Sequence, residues 1–98
     1  MAAYLIADIE VLDAAAFEQY RQLVPPLITA AGGRYLVRGG ELKVVEGSPQ
    51  TLRKVVLEFP SMAALEAFYT SSEYAPLLAL RLRATRSNIV FVQGVSST

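Results

Sequence analysis

Gly32-Gly33-Arg34-Tyr35-Leu36-Val37-Arg38-Gly39-Gly40 is the stretch on which the fold turns. Its first glycine pair stands where a helix ends, because glycine enters the left-handed region of a helix C-cap without a Cβ penalty. The run after it reads as extended. Gly39-Gly40 then admits two readings, a tight hairpin or one long strand from Arg34 to Glu46 with a bulge at the glycines. The bulged strand is favoured, since Gly47-Ser48-Pro49-Gln50 makes a better turn and leads into the next apolar run.

Upstream, Ala3 to Ile9 is a short apolar run and reads as a strand. Asp13 suits a helix N-cap, and Phe17, Tyr20, Val24, Leu27, Ile28 and Ala31 then recur at helical spacing over a polar opposite side. Pro25-Pro26 removes two ladder donors, so a kink or a short restart is expected there. Downstream, Arg53 to Phe59 is the next strand, and Ser61 caps a second helix from Met62 to Tyr69. A third helical stretch follows Ser71-Ser72, its start blurred by Pro76, and runs to about Ala84. Asn88 to Val95 is the final strand, followed by a polar tail. The order β-α-β-β-α(α)-β implies an α+β, ferredoxin-like βαββαβ fold in one domain, residues 1–98. Its four-stranded antiparallel sheet, ordered 4-1-3-2, carries the helices on one face.

Those strands are apolar on both faces. The first offers Leu5, Ala7 and Ile9 to one side and Tyr4 and Ile6 to the other; the third sets Val55, Leu57 and Phe59 against Val56. The last sets Ile89 and Phe91 against Val90 and Val92. Crossovers of consistent hand put both helices on one side, and a sheet with water on its second face alternates apolar with polar residues. This one does not, so its uncovered face calls for a partner, and the same face of a second copy is the expected one. A hydrophobic fraction of 53% with 18% charged residues in 98 residues agrees with such a homodimer.

Composition excludes several function classes. Lys and Arg balance Asp and Glu at 9 each, which leaves no electrostatic footprint for nucleic acid or an anionic membrane. With 0 Cys and 0 His, thiolate nucleophiles, disulfides, histidine general bases and a His-ligated haem are ruled out. No metal and no cofactor are expected. Any chemistry must use carboxylates, Tyr, Arg, Lys, hydroxyls, Asn or backbone groups. The N-terminal run lacks a basic region and is too short for a signal peptide, and no window approaches a membrane span, so a cytoplasmic protein is expected.

The nine-residue stretch, together with Glu58-Phe59-Pro60-Ser61 and Ser72-Glu73-Tyr74 with Arg81, resembles the bacterial family of domain-of-unknown-function 1330 proteins from Tyr4 to Gly94. The resemblance implies a dimeric α+β barrel in which two sheets close face to face, and it implies no established activity. Pro76 departs from the family's more usual helix-forming residue at that position.

If Leu5, Ala7, Ile9, Val55, Leu57 and Phe59 face the helices, Asp8 and Glu58 point to the opposite face; Arg34 and Arg38 share one side of their own strand, and the glycine bulge leaves open which. The functional reading is a polar pocket in an apolar barrel. Arg38 there holds a carboxylate or carbonyl of a small-molecule ligand, and Glu58 is a candidate acid or base. The competing reading has Arg38 and Glu58 neutralise each other and fix the register of pairing. Tyr74 and Arg81 lie seven apart on one helical face, where they either line a cleft or make an interfacial cation–π or hydrogen-bonded contact, and Tyr20 lies on the core stripe of the first helix; these three with Arg34 complete the ligand-binding candidates. Two functions compete: a small-ligand binder, extending to a cofactor-independent enzyme, and a non-catalytic dimerisation or interaction module with a structural Arg–Glu cluster. RNA binding fails on charge and on the missing stacking aromatics.

Overall fold

The computed structural model describes residues 1–50 and 52–95 and runs β1 (Ala3–Val11), α1 (Ala14–Ala30), β2 (Arg34–Arg38), β3 (Arg53–Phe59), α2 (Met62–Tyr69), α3 (Ala75–Ala84) and β4 (Thr85–Gln93). The polar tail expected after Val95 falls on residues 96–98, outside those described. Every neighbouring pair in the sheet is antiparallel and the order is β2-β3-β1-β4. This is the α+β, ferredoxin-like arrangement that the strand and helix order implied.

Local sequence sets the helix ends. The Asp13 carboxylate accepts from the Ala16 N–H at 3.1 Å, and the Ser61 hydroxyl accepts from the Ala64 N–H at 3.0 Å. At the end of α1 the chain reverses at Gly32, φ +86°, with its N–H donating to the Thr29 carbonyl at 3.0 Å and the Gly33 N–H to the Ile28 carbonyl at 2.9 Å. This paired closure satisfies two carbonyls that the last helical turn leaves free. Pro76 lies in the first turn of α3, where a missing N–H disturbs nothing, so the helix starts without a break.

Three expectations are corrected. Pro25 and Pro26 lie inside α1, which continues past them to Ala30 as one helix, so of the kink or restart expected there the restart does not occur. The packing of Val24 and Ile28 in the core, each 2% exposed, holds the helix together across the missing donors. β4 begins at Thr85, directly after α3, rather than at Asn88, because pairing with β1 extends to Val11 opposite Thr85.

The third correction concerns β2, which neither turns in a tight hairpin at the glycines nor runs on as one long strand. It ends at Arg38, and its irregularity lies between Tyr35 and Val37 rather than at the glycines. Gly39, φ +68°, turns the chain away as its N–H donates to the Lys54 carbonyl at 2.8 Å. No regular element covers residues 40–50, because β3 begins only at Arg53 and offers them no partner strand.

The helices cover one face of the sheet. Ala3, Leu5, Ala7, Ile9, Leu57 and Phe59 from the strands pack with Phe17, Val24 and Ile28 of α1, Leu65 and Phe68 of α2, and Leu77 and Ala84 of α3. Phe59 is fully buried, and a Cβ on Gly33 would lie 2.7 Å from its ring. Gly33 therefore leaves room for a side chain whose burial contributes about 1.5–3 kcal/mol.

The other face carries Val37, Val56, Ile6 and Val90 as one row across all four strands, each opposite its neighbour in register. Ile6, Val37 and Val90 are exposed at 38%, 39% and 54%. One flank of the row is Arg34, Glu58, Tyr4 and Val92; the other is Lys54, Asp8 and Asn88. Arg34 Nε donates to Glu58 Oε1 at 2.7 Å, the Tyr4 hydroxyl donates to Glu58 Oε2 at 3.0 Å, and Lys54 pairs with Asp8.

Candidate functional site

Between α1, α3 and the helix-facing side of the sheet lies a cavity of about 40 Å³. Leu5, Ala7, Ile9 and Leu57 form its floor, Phe17 and Val24 an apolar wall, and Tyr20, Tyr35, Tyr74 and four arginines its polar part. A wider groove of about 470 Å³ runs between α1 and α2, but alanines dominate it and Ser71 and Glu73 are its polar side chains. Convergent polar groups in an apolar cavity mark the first of these as the candidate site.

The inner end of the cavity is a tyrosine cluster around one guanidinium. Tyr74 is 2% exposed and Arg81 3%, at the start and the far end of α3, so the seven-residue spacing turns both inward. The Tyr20 and Tyr74 hydroxyls share a hydrogen bond of 2.7 Å, and Arg81 Nη2 donates to the Tyr69 hydroxyl at 3.0 Å. Phe17 stacks on Tyr20, Tyr20 meets Tyr74 edge-on, and Tyr74 makes tilted ring contacts with Phe68 and Tyr69. Burial foremost, then the neighbouring Tyr74 phenol, pushes the Tyr20 hydroxyl far above its ordinary value. It therefore stays a neutral hydrogen-bonding group at any physiological pH.

The outer end is a mouth of three further arginines. Arg38 donates from Nη2 to the Arg21 backbone carbonyl at 2.9 Å and lies 4.6 Å over the Tyr35 ring. Arg53 lies 5.6 Å over the Phe17 ring. Its guanidinium rests against Gly39, where any Cβ would collide with it. Burial, then the positive charges of Arg21 and Arg38, lower the Arg53 pKa from its ordinary value. Arg21 in turn pairs with Glu18 at 2.9 Å on the solvent side.

Of the six sequence-derived candidates, the fold brings Arg38, Tyr20, Tyr74 and Arg81 to this cavity and sends Arg34 and Glu58 to the opposite face of the sheet. Two expectations are thereby corrected. Arg34 and Arg38 do not share a side, because the bulge between them inserts one residue and reverses the alternation. Arg34 stands opposite Glu58, on the outer face, whereas Arg38 stands opposite Val55, on the helix side. Arg38 and Glu58 consequently form neither a shared pocket nor a neutralising pair. It is Arg34, then Tyr4, whose hydrogen bonds hold the Glu58 carboxyl below its ordinary value.

Arg21, Tyr35 and Arg53 also line the cavity and were not among the candidates. Arg53 carried a legible signal, since it shares the inward phase of Val55, Leu57 and Phe59 and so sets a charge on a core-facing position. Arg21 and Tyr35 carried none, because their aim depends on the packing of α1 over the bulged edge of the sheet.

The fold has solved counterparts. A protein of unknown function from Rhodopseudomonas palustris superposes with a TM-score of 0.75 at 17% identity, over 97% of this chain and 83% of that one. A dimeric ferredoxin-like protein of unknown function from Jannaschia sp. CCS1 gives 0.71 at 15% identity, over 96% and 100%. SnoaB, a cofactor-independent oxygenase from Streptomyces nogalater, gives 0.63 at 9% identity, over 98% and 95%. No curated protein matches the chain significantly. At these identities the similarity speaks for the fold alone. The sequence itself goes further: residues 2–95 match the family described as a domain of unknown function, DUF1330, and the chain belongs to that family.

Proposed function

We propose that this chain acts as a homodimer that binds a small organic molecule in the cavity between its helices and its sheet. The observation that carries the reading is Arg81, a guanidinium 3% exposed whose Nε is buried without a hydrogen-bond partner, set among tyrosines in an apolar cavity. An unpaired buried donor of a charged group costs several kcal/mol unless something satisfies it, and an oxygen-bearing ligand does so. The 40 Å³ of free space takes about three water-sized groups, so a larger molecule enters by displacing Arg38, which is exposed and held by one hydrogen bond. The enzymatic form of the reading, catalysis without a cofactor, draws support from the oxygenase of the same fold. Tyr20 and Tyr74 are then the hydrogen-bonding pair nearest to a bound substrate.

The homodimer reading draws on the row Val37–Val56–Ile6–Val90, an apolar band extended by the exposed Val92 on a face that no helix covers. A purely structural, non-catalytic dimer is the competing function, with Arg34–Glu58 rather than Arg38–Glu58 as its ionic cluster. Native mass spectrometry of the purified protein, followed by identification of small molecules released on denaturation, separates the two. A released compound whose retention is lost in Arg81→Met and Tyr20→Phe, with the dimer intact, supports the ligand pocket. Retention unchanged in both variants assigns the compound elsewhere and removes the pocket reading.

A further inference from the structure

We infer that the ligand is an acid, with its carboxylate held at the cavity mouth by Arg38 and Arg53 and an oxygen at its other end held by Arg81 and the tyrosines. The inference rests on the pocket reading above and adds a chemical class to it. Four guanidiniums line the cavity, those of Arg21, Arg38, Arg53 and Arg81, and among the described residues no carboxylate does. Glu18 answers Arg21 from the solvent side, with half of its own side chain exposed, while Asp8 and Glu58 are on the far face of the sheet in pairs of their own. The buried side-chain atoms left without a hydrogen-bond partner among the described residues are Arg21 Nε, Arg53 Nε and Arg81 Nε. All three belong to this one cavity.

Bringing like charges together over an apolar floor is unfavourable, and a bound anion offsets it. The mouth is also built rather than accidental. Gly39 takes a left-handed turn and lacks the Cβ that would expel the Arg53 guanidinium. Pro25 lacks the N–H that would otherwise occupy the Arg21 carbonyl, and Arg38 uses that acceptor. The planar fork of a guanidinium matches a carboxylate in two parallel hydrogen bonds, which selects carboxylate over a neutral carbonyl. The two ends of the cavity are therefore different in kind. The mouth is cationic and partly open, and the inner end joins one buried guanidinium to neutral phenols. A short acid bearing a keto or hydroxyl oxygen satisfies both.

Thermal unfolding of the intact protein tests this with acetate, pyruvate and benzoate, each beside its uncharged methyl ester at equal ionic strength. At concentrations near ten times Kd, an acid is expected to raise Tm by several degrees and its ester by much less. Arg53→Gln and the surface-exposed Arg38→Gln should each abolish the rise, while Arg83→Gln, an exposed position on α3 outside the cavity, should keep it. Esters that stabilise as well as their acids, or a rise that survives both mouth variants, overturn the acid assignment and leave the pocket standing. A panel in which neither acid nor ester shifts Tm overturns the assignment and the pocket together. A rise with acetate that Arg83→Gln removes equally marks a general ionic effect and also overturns it.

Discussion

Arg38 donates a hydrogen bond to the backbone carbonyl of Arg21 at 2.9 Å, and that carbonyl is free because Pro25, four residues on, has no N–H to give it. A proline that would ordinarily only weaken a helix thus leaves free the acceptor of a tertiary contact. The contact ties the edge strand of the sheet to the helix above it and holds a positive charge at the cavity mouth.

Replacing the proline separates its two effects. Pro25→Ala restores the helical hydrogen bond and is expected to raise stability, by at most about 3 kcal/mol. It also takes the acceptor away from Arg38, so stabilisation by a bound acid should fall. Urea unfolding with and without ligand reads both changes. A variant that gains stability and keeps the full ligand effect would show that the Arg38–Arg21 contact plays no part in binding.

Gly39 and Gly40 are adjacent and should respond differently to alanine. Gly39→Ala forces a left-handed φ on a residue with a Cβ, at a cost of about 1–2 kcal/mol, and drives that Cβ into the Arg53 guanidinium. Gly40 has nothing within 4 Å of its would-be Cβ, so Gly40→Ala should stay within about 0.5 kcal/mol of the parent. Equal shifts in the two denaturation midpoints would refute the steric role assigned to Gly39.

Ile6 lies in the middle of the outer row, between Val56 and Val90. If that row meets its copy in a second chain, Ile6→Glu buries an unpaired charge there and weakens the dimer by at least about 100-fold. Sedimentation velocity over a concentration series measures this. A dimer of unchanged affinity in Ile6→Glu would move the interface to another surface.

The acid limb of stability should carry the signature of Glu58. Hydrogen bonds from Arg34 first, then Tyr4, lower its pKa in the folded state, so the folded chain holds this proton less tightly than the unfolded chain. The resulting stabilisation is complete above the unfolded carboxyl value and is lost as pH falls through the lower, folded one. Glu58→Gln should therefore be less stable than the parent at neutral pH and converge with it in acid. Parallel stability curves from pH 7 down to about pH 2 would contradict the pairing.

Much of the fold is legible along the chain. Asp13 and Ser61 announce helix starts, Gly32-Gly33 a helix end, and the phase of Leu5, Ala7 and Ile9, and of Leu57 and Phe59, sets each strand's shared face. These follow from short-range geometry, where a cap or a two-residue period acts within a few positions. That Tyr74 and Arg81 share one face was legible for the same reason, since seven residues make two helical turns, but that this face turns into the core rather than to an interface was not.

The placement of the arginines in the nine-residue stretch was not. Arg34 and Arg38 are four residues apart, and simple alternation puts them on the same side. The extra residue between Tyr35 and Val37 reverses that, and it exists only because β2 must pair with β3 in a register set elsewhere in the sheet. By itself the sequence determined the order of the elements, which residues of a strand share a face, and that the second face is unusually apolar. Tertiary structure alone decided that Arg34 meets Glu58 on the outer face while Arg38 crosses to the cavity with Arg21, Arg53 and Arg81. A bulge is a property of a strand pair, and no single strand carries it.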